Sequence, residues 1–156
     1  MGGGANLGKE TVMRTFMIGA VLLAAAHMAA IIAAKAETIH YKATLTGASE
    51  TPPTDSKGAG ALTATYDTDS KKLEWTVDYS GLTGPAIAAH FHGPAPVGKP
   101  APVEVPLSAP LDSPMKGSAT LTDAQAKDLT DGMMYFNIHT AANKPGEIRG
   151  QMEKAM

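Results

Sequence analysis

Short runs in which apolar and polar residues alternate strictly, each closed by a turn rich in proline, glycine or aspartate, constrain this chain more than anything else in it. A period of two sends successive side chains to opposite faces, so such a run can bury one face only as a β-strand. The clearest stripe is Leu73, Trp75, Val77 and Tyr79, opposed by Glu74, Thr76 and Asp78. Ile39, Tyr41, Ala43 and Leu45 repeat the pattern, as do Leu62, Ala64 and Tyr66. Further strands are expected over 87–92, 103–107, 117–121, 134–139 and 147–152. Turn residues separate them at Thr51-Pro-Pro, Asp67 to Ser70, Gly81 to Pro85, Gly93 to Pro102 and Asn143-Lys-Pro-Gly. About eight strands at this spacing predict an all-β antiparallel fold, a Greek-key sandwich or a flattened barrel. One short helix interrupts it over 122–130: Thr122 and Gln125 fit a capping box, Asp123 suits the positive N-terminal end, and Gly132 can stop the chain. The proline-rich stretch 94–110 is long enough to lie over a sheet face rather than simply turn.

The alternation begins only after residue 36. Residues 16–34 are nearly all apolar, with Lys9 and Arg14 just upstream and Ala34-Lys35-Ala36 at the end. Positive, apolar and small residues in that order make a secretory signal over 1–36, cleaved after Ala36, which predicts a periplasmic or secreted protein. Met13-Arg14-Thr15 resembles the usual start of such a signal more than Met1 does. A retained membrane anchor is the competing reading, because 19 residues just span a bilayer, but alanine dominates the run and His27 interrupts it. Removing Lys9, Arg14, Lys35 and Glu10 with the signal leaves 10 basic and 14 acidic residues of the original 13 and 15, a net charge of −4. Such a surface does not attract a phosphate backbone, so nucleic acid is excluded as a partner. The chain contains no cysteine. An exported domain of this size without disulfides must be held by its core, with a metal as an available supplement.

Four histidines remain after cleavage: His40, His90, His92 and His139. In residues 87–92, Ile87, Ala89 and Phe91 share one face while His90 and His92 share the other. In residues 135–139, Phe136 and Ile138 oppose Tyr135, Asn137 and His139. In residues 147–151, Ile148 points inward and Glu147, Arg149 and Gln151 outward. Neighbouring strands lie about 4.8 Å apart and i,i+2 residues about 6.5 Å apart, so if these segments adjoin, the three histidines 90, 92 and 139 can converge on one ion. A His-x-His pair with a third imidazole suits copper, and less well zinc, and leaves a coordination position open. His40 shares the outward parity but reads as a solvated residue near the new N-terminus. Glu50, Asn137 and Glu147 are candidates to support the ligands from behind. Arg149 either pairs with Glu147 on the surface or draws a small anion toward the metal. Met133 and Met134 are soft potential ligands, though methionine beside a strand usually fills core.

Five blocks of this sequence together resemble the CHRD domain, first noted in chordin and widespread in exported bacterial proteins. They are Gly47-Ala-Ser-Glu-Thr-Pro-Pro53, Tyr79-Ser-Gly-Leu82, Ala88-Ala-His-Phe-His-Gly-Pro94, Asn137-Ile-His-Thr140 and Gly146-Glu-Ile-Arg-Gly-Gln151. The resemblance runs over residues 39–152, which makes residues 37–156 the CHRD domain. A weaker similarity is to copper-zinc superoxide dismutase, an eight-stranded Greek-key barrel with a His-x-His strand motif and an arginine that guides superoxide. That similarity implies copper on His90, His92 and His139, Arg149 as the guide, and superoxide dismutation as the reaction. The sequence departs from it in having no cysteine, no evident zinc-site histidines and one copper histidine fewer unless His40 serves. The alternatives are a non-catalytic binding or structural CHRD module, and a copper storage or delivery protein.

Overall fold

The computed structural model describes residues 1–3 and 36–156; most of the expected signal, with Met13 and His27, lies outside the described residues. Strands run over β1 (Thr38–Thr46), β2 (Ala59–Asp67), β3 (Lys72–Ser80), β4 (Ala86–His92), β5 (Val103–Pro106), β6 (Met115–Thr120), β7 (Tyr135–Thr140), β8 (Ile148–Gln151) and β9 (Glu153–Lys154), with helix α1 at Asp123–Thr130. All the alternating runs of the sequence are strands. β9, two residues paired to β1, is the addition.

The strands form one antiparallel sheet in the order β5-β4-β7-β8-β1-β2-β3-β6. β8 returns to lie beside β1, and β6 beside β3, through long connections of the Greek-key kind. The link between β8 and β1 is narrow, a single pair at Thr46 and Arg149. There the sheet folds over, so that β1-β2-β3-β6 faces β5-β4-β7-β8 across one core. Tyr41, Leu45, Leu62, Leu73, Trp75 and Val77 enter that core from the first half, and Phe91, Phe136, Ile138 and Ile148 from the second. Trp75 meets Phe91 edge to face with ring centroids 5.0 Å apart, and Phe91 meets Phe136 at 4.9 Å, so the two halves are joined through aromatic contacts. Met134 is fully buried among them, filling core as expected of it.

Helix α1 begins at the predicted box: the Thr122 hydroxyl accepts from the Gln125 N–H, and the Gln125 side chain returns to the Thr122 N–H. The chain stops after one further residue at Gly132, whose φ of 73° favours glycine. Leu129 anchors the helix to the core.

The outer face of β4-β7-β8 departs from expectation in one respect. Its residues point away from the core as the parity predicts, yet Asn137, His139, Glu147 and Arg149 are all buried rather than at the surface. The segments 47–58 and 93–102 cover it, the second as its proline content suggested. Ala101 and Lys99 present carbonyl oxygens to His92 and Arg149, and Ala95 one to Gln151. Ile87 is the opposite case: expected on the apolar face, it is 54% exposed. The pairing of β4 with β7 shifts between Ala86 and Ala88, which takes Ile87 out of the ladder and off the core face.

Candidate metal centre

β4 and β7 are neighbours, with His90 opposite Asn137 and Ala88 opposite His139. That register, with the parity of the two strands, brings His90, His92 and His139 together; one ring nitrogen from each lies within 4.8 Å of the others. His90 Nδ1 is 3.1 Å from His139 Nε2. The rings of His90 and His139 meet edge on, centroids 4.9 Å apart. His90 is half-buried and the other two are buried, so the cluster is reached from the His90 side. His40 is not part of it: it stands exposed on β1, opposite Thr65.

Backbone carbonyls fix the state of two rings. His92 Nδ1 lies 3.0 Å from the Ala101 oxygen and His139 Nδ1 2.8 Å from the Lys144 oxygen. A carbonyl only accepts, so both Nδ1 atoms carry protons, and in the neutral rings both Nε2 atoms carry lone pairs. These lone pairs face inward. Burial, followed by the neighbouring imidazoles, lowers the pKa of His90. Burial also lowers His92, against the opposing pull of Ala101 and Asn137. Neutral imidazole is the form that binds a metal, and hydrogen bonding from the far nitrogen is the usual way a ligating ring is oriented.

Asn137 sits in the middle of the cluster rather than behind it. Its Oδ1 is 3.0 Å from His92 Nε2 and 2.9 Å from His139 Nε2. Glu50, carried on the turn after β1, reaches Asn137 and not a histidine. Burial raises its pKa to about 7, against smaller opposing effects of the Thr51 N–H, Arg149 and the Asn137 amide. Its Oε1 is buried with no hydrogen-bond partner. Gly146 makes room for both groups: a Cβ there would strike Glu50 Oε1 and fall 2.8 Å from Asn137 Nδ2, and its φ of 143° is one that L-residues rarely adopt.

Arg149 does not pair with Glu147. Its guanidinium lies over the Tyr135 ring, 3.4 Å from the centroid, and donates to the Lys99 oxygen at 2.8 Å. Tyr135 is also stacked in parallel on His92, centroids 4.8 Å apart. β4 and β8 flank β7 on opposite sides, so the phenol lies between imidazole and guanidinium. Arg149 is only 2% exposed but lines a cavity of about 650 Å³ with Lys42, Ser49, Glu50 and Thr51. Glu147 is occupied elsewhere. Its carboxylate accepts from Ser56 Oγ (2.6 Å), Thr140 Oγ1 (2.5 Å), Thr83 Oγ1 (2.7 Å) and the Thr83 N–H (2.8 Å). Burial pushes its pKa up, but these four bonds outweigh it and bring the group down to about 2. It clasps the 51–58 and 81–85 segments to the sheet and touches no imidazole.

Strand parity put the three histidines, Asn137 and Arg149 on one face, and the structure gathers the histidines and Asn137 while holding Arg149 over the Tyr135 ring. The sequence reading missed the hydroxyl cage of Glu147 and the carbonyls of Ala101 and Lys144. Backbone groups leave no trace in a sequence, and Ser56, Thr83 and Thr140 are spread over 84 positions. Tyr135 shared the parity of Asn137 and His139, which was the available signal for its place in the stack.

The family model for the CHRD domain matches residues 41–152. The chain belongs to the CHRD family. No curated protein and no solved structure matches it.

Proposed function

We propose that this CHRD domain is an exported copper protein, acting in the periplasm or outside the cell, and that its reaction is the dismutation of superoxide. The observation that carries the metal reading is the pair of inward lone pairs on His92 and His139, fixed by two carbonyls, with His90 Nδ1 beside them. Buried lone pairs turned toward one another need a shared donor or a cation. Three imidazoles without thiolate or carboxylate suit copper or zinc, and copper stands above zinc in the usual order of divalent affinities. Bound copper would supply one-electron exchange, oxidising one superoxide to dioxygen and reducing a second, with two protons, to hydrogen peroxide. The half-buried His90 marks the side from which a small anion can enter. Arg149 adds a fixed positive charge two rings away, which favours an anion through its field rather than by contact.

That indirect placement also supports a second reading, copper storage or delivery, which needs the ligands and no steering charge. Metal titration of the protein against the His90/His92/His139→Ala triple variant tests the site. Binding of copper or zinc no better than that variant ends both readings and leaves a non-catalytic module. Superoxide consumption by the copper-loaded protein then divides enzyme from carrier. A rate above that of free copper that falls in Arg149→Ala supports the enzyme, and a rate no better than free copper supports the carrier.

A further inference from the structure

Tyr135 joins two groups of different kinds, a candidate metal ligand and a cation. Its ring lies parallel to that of His92, centroids 4.8 Å apart, and the Arg149 guanidinium lies 3.4 Å from its centre. Those separations keep the guanidinium carbon within about 8 Å of the His92 ring centre, with a phenol ring in place of water between them. One short segment of the covering loop fastens all three layers. The Lys99 oxygen accepts from Arg149, the Ala101 N–H donates to the Tyr135 hydroxyl, and the Ala101 oxygen accepts from His92 Nδ1. All three side chains are buried. Arginine keeps its charge in such a site. Among the described residues no carboxylate lies within ion-pair distance of it. Glu50 acts on it from further off, and burial favours the neutral form of that carboxyl. A buried cation without an ion-pair partner costs stability that an apolar side chain of the same length would not. Its charge therefore points to an electrostatic use.

We propose that Arg149 sets the oxidation-state preference of the metal site: its fixed charge, held across the Tyr135 ring from His92, favours a singly charged ion over a doubly charged one. This rests on the metal-binding reading above and deepens it, because Arg149 then acts on the bound ion as well as on an incoming anion. A unit charge about 10 Å away, at an effective dielectric constant of about 20, weakens binding of a monovalent ion by roughly tenfold. Binding of a divalent ion is weakened by the square of that factor, so the site gains a roughly tenfold bias toward Cu⁺. That bias eases the half-reaction in which superoxide gives one electron to Cu²⁺ and leaves as dioxygen. Tyr135 is the spacer that keeps the field dry and the distance fixed.

The test measures Cu⁺ and Cu²⁺ affinities of the full chain separately, each by competition with a chromophoric chelator, with Zn²⁺ as a redox-inert control. A pH of about 6 lies below the raised pKa of Glu50, so the charge of Arg149 then stands alone. Arg149→Met keeps the length and removes the charge. It is expected to tighten Cu²⁺ and Zn²⁺ binding and to lower the ratio of Cu⁺ to Cu²⁺ affinity by about tenfold. Loss of a merely structural side chain gives the opposite sign, weaker binding of every ion. A ratio that falls by less than about threefold, or Cu²⁺ binding that weakens, overturns the proposal while the three-histidine reading stands. Wild-type protein that binds neither copper ion better than the triple histidine variant ends both. Should Arg149→Met fail to fold, Arg149→Gln keeps a donor for the Lys99 oxygen and decides on the same ratio.

Discussion

Glu147 permits a test of the fold that is independent of any metal. Its carboxylate is fully buried and accepts four hydrogen bonds, which bring its pKa from 4.5 to about 2. Each pKa unit corresponds to about 1.4 kcal/mol, so the cage contributes roughly 3 kcal/mol to folding at neutral pH. For a domain whose whole stability is on the order of 5–15 kcal/mol, that is a large share. Because the folded pKa lies below the unfolded one, the contribution is complete above about pH 4.5 and is lost as the pH falls toward 2. Glu147→Gln removes the charge and keeps the shape. Hydroxyls can reorient to suit an amide, and the Thr83 N–H can still donate to its oxygen, so the variant should lose about 1.5–3 kcal/mol at pH 7 and still fold. Urea unfolding of both proteins at intervals from pH 7 to pH 2 measures this. The gap between the two curves should close through the lower half of that range, since every other carboxylate is common to both. A gap of constant size from pH 7 to pH 2 would refute the assignment of that stability to the cage.

Glu50 has the opposite sign: its folded pKa, about 7, lies above the unfolded value, so its burden is absent below about pH 4.5 and grows as the pH rises to 7. Glu50→Gln should therefore raise the urea midpoint at pH 8 relative to wild type and leave it little changed at pH 4.5. Phe91 is fully buried between Trp75 and Phe136, and Phe91→Ala should lower stability by about 3–5 kcal/mol in the same assay, through the lost burial and the cavity left behind.

The fold was legible because alternation marks each of the strands β1 to β8, and because the capping residues Thr122 and Gln125 mark the helix at its first turn. Which strands adjoin was not legible, since a period of two says which way a side chain points and nothing of its neighbour. The histidine parity became a site only through the register of β4 on β7. Solvent exposure was the property misjudged. Glu147 and Arg149 lie on the face away from the core, and that face would be wet but for the coverings 47–58 and 93–102, whose irregular backbone carries no periodic signal. Ile87 failed for a related reason, because an irregularity in pairing is invisible to a pattern that presumes none.

The narrow join of β1 to β8 and β9 has a bearing on the order in which the molecule can be made. β1, β2 and β3 are consecutive and can zip together as soon as they emerge, but the far edge of β1 must wait for residues 148–154. Of the groups around the candidate metal, His90 and His92 are synthesised 45 residues or more before Asn137 and His139, and Arg149 comes later still. A chain threaded from its N-terminus therefore holds a half-sheet with an open edge and two waiting imidazoles until its last strands arrive. On the metal reading, the finished sheet is what holds the site in shape, and a truncation that removes only β8 and β9 is expected to weaken metal binding while leaving all three histidines in place.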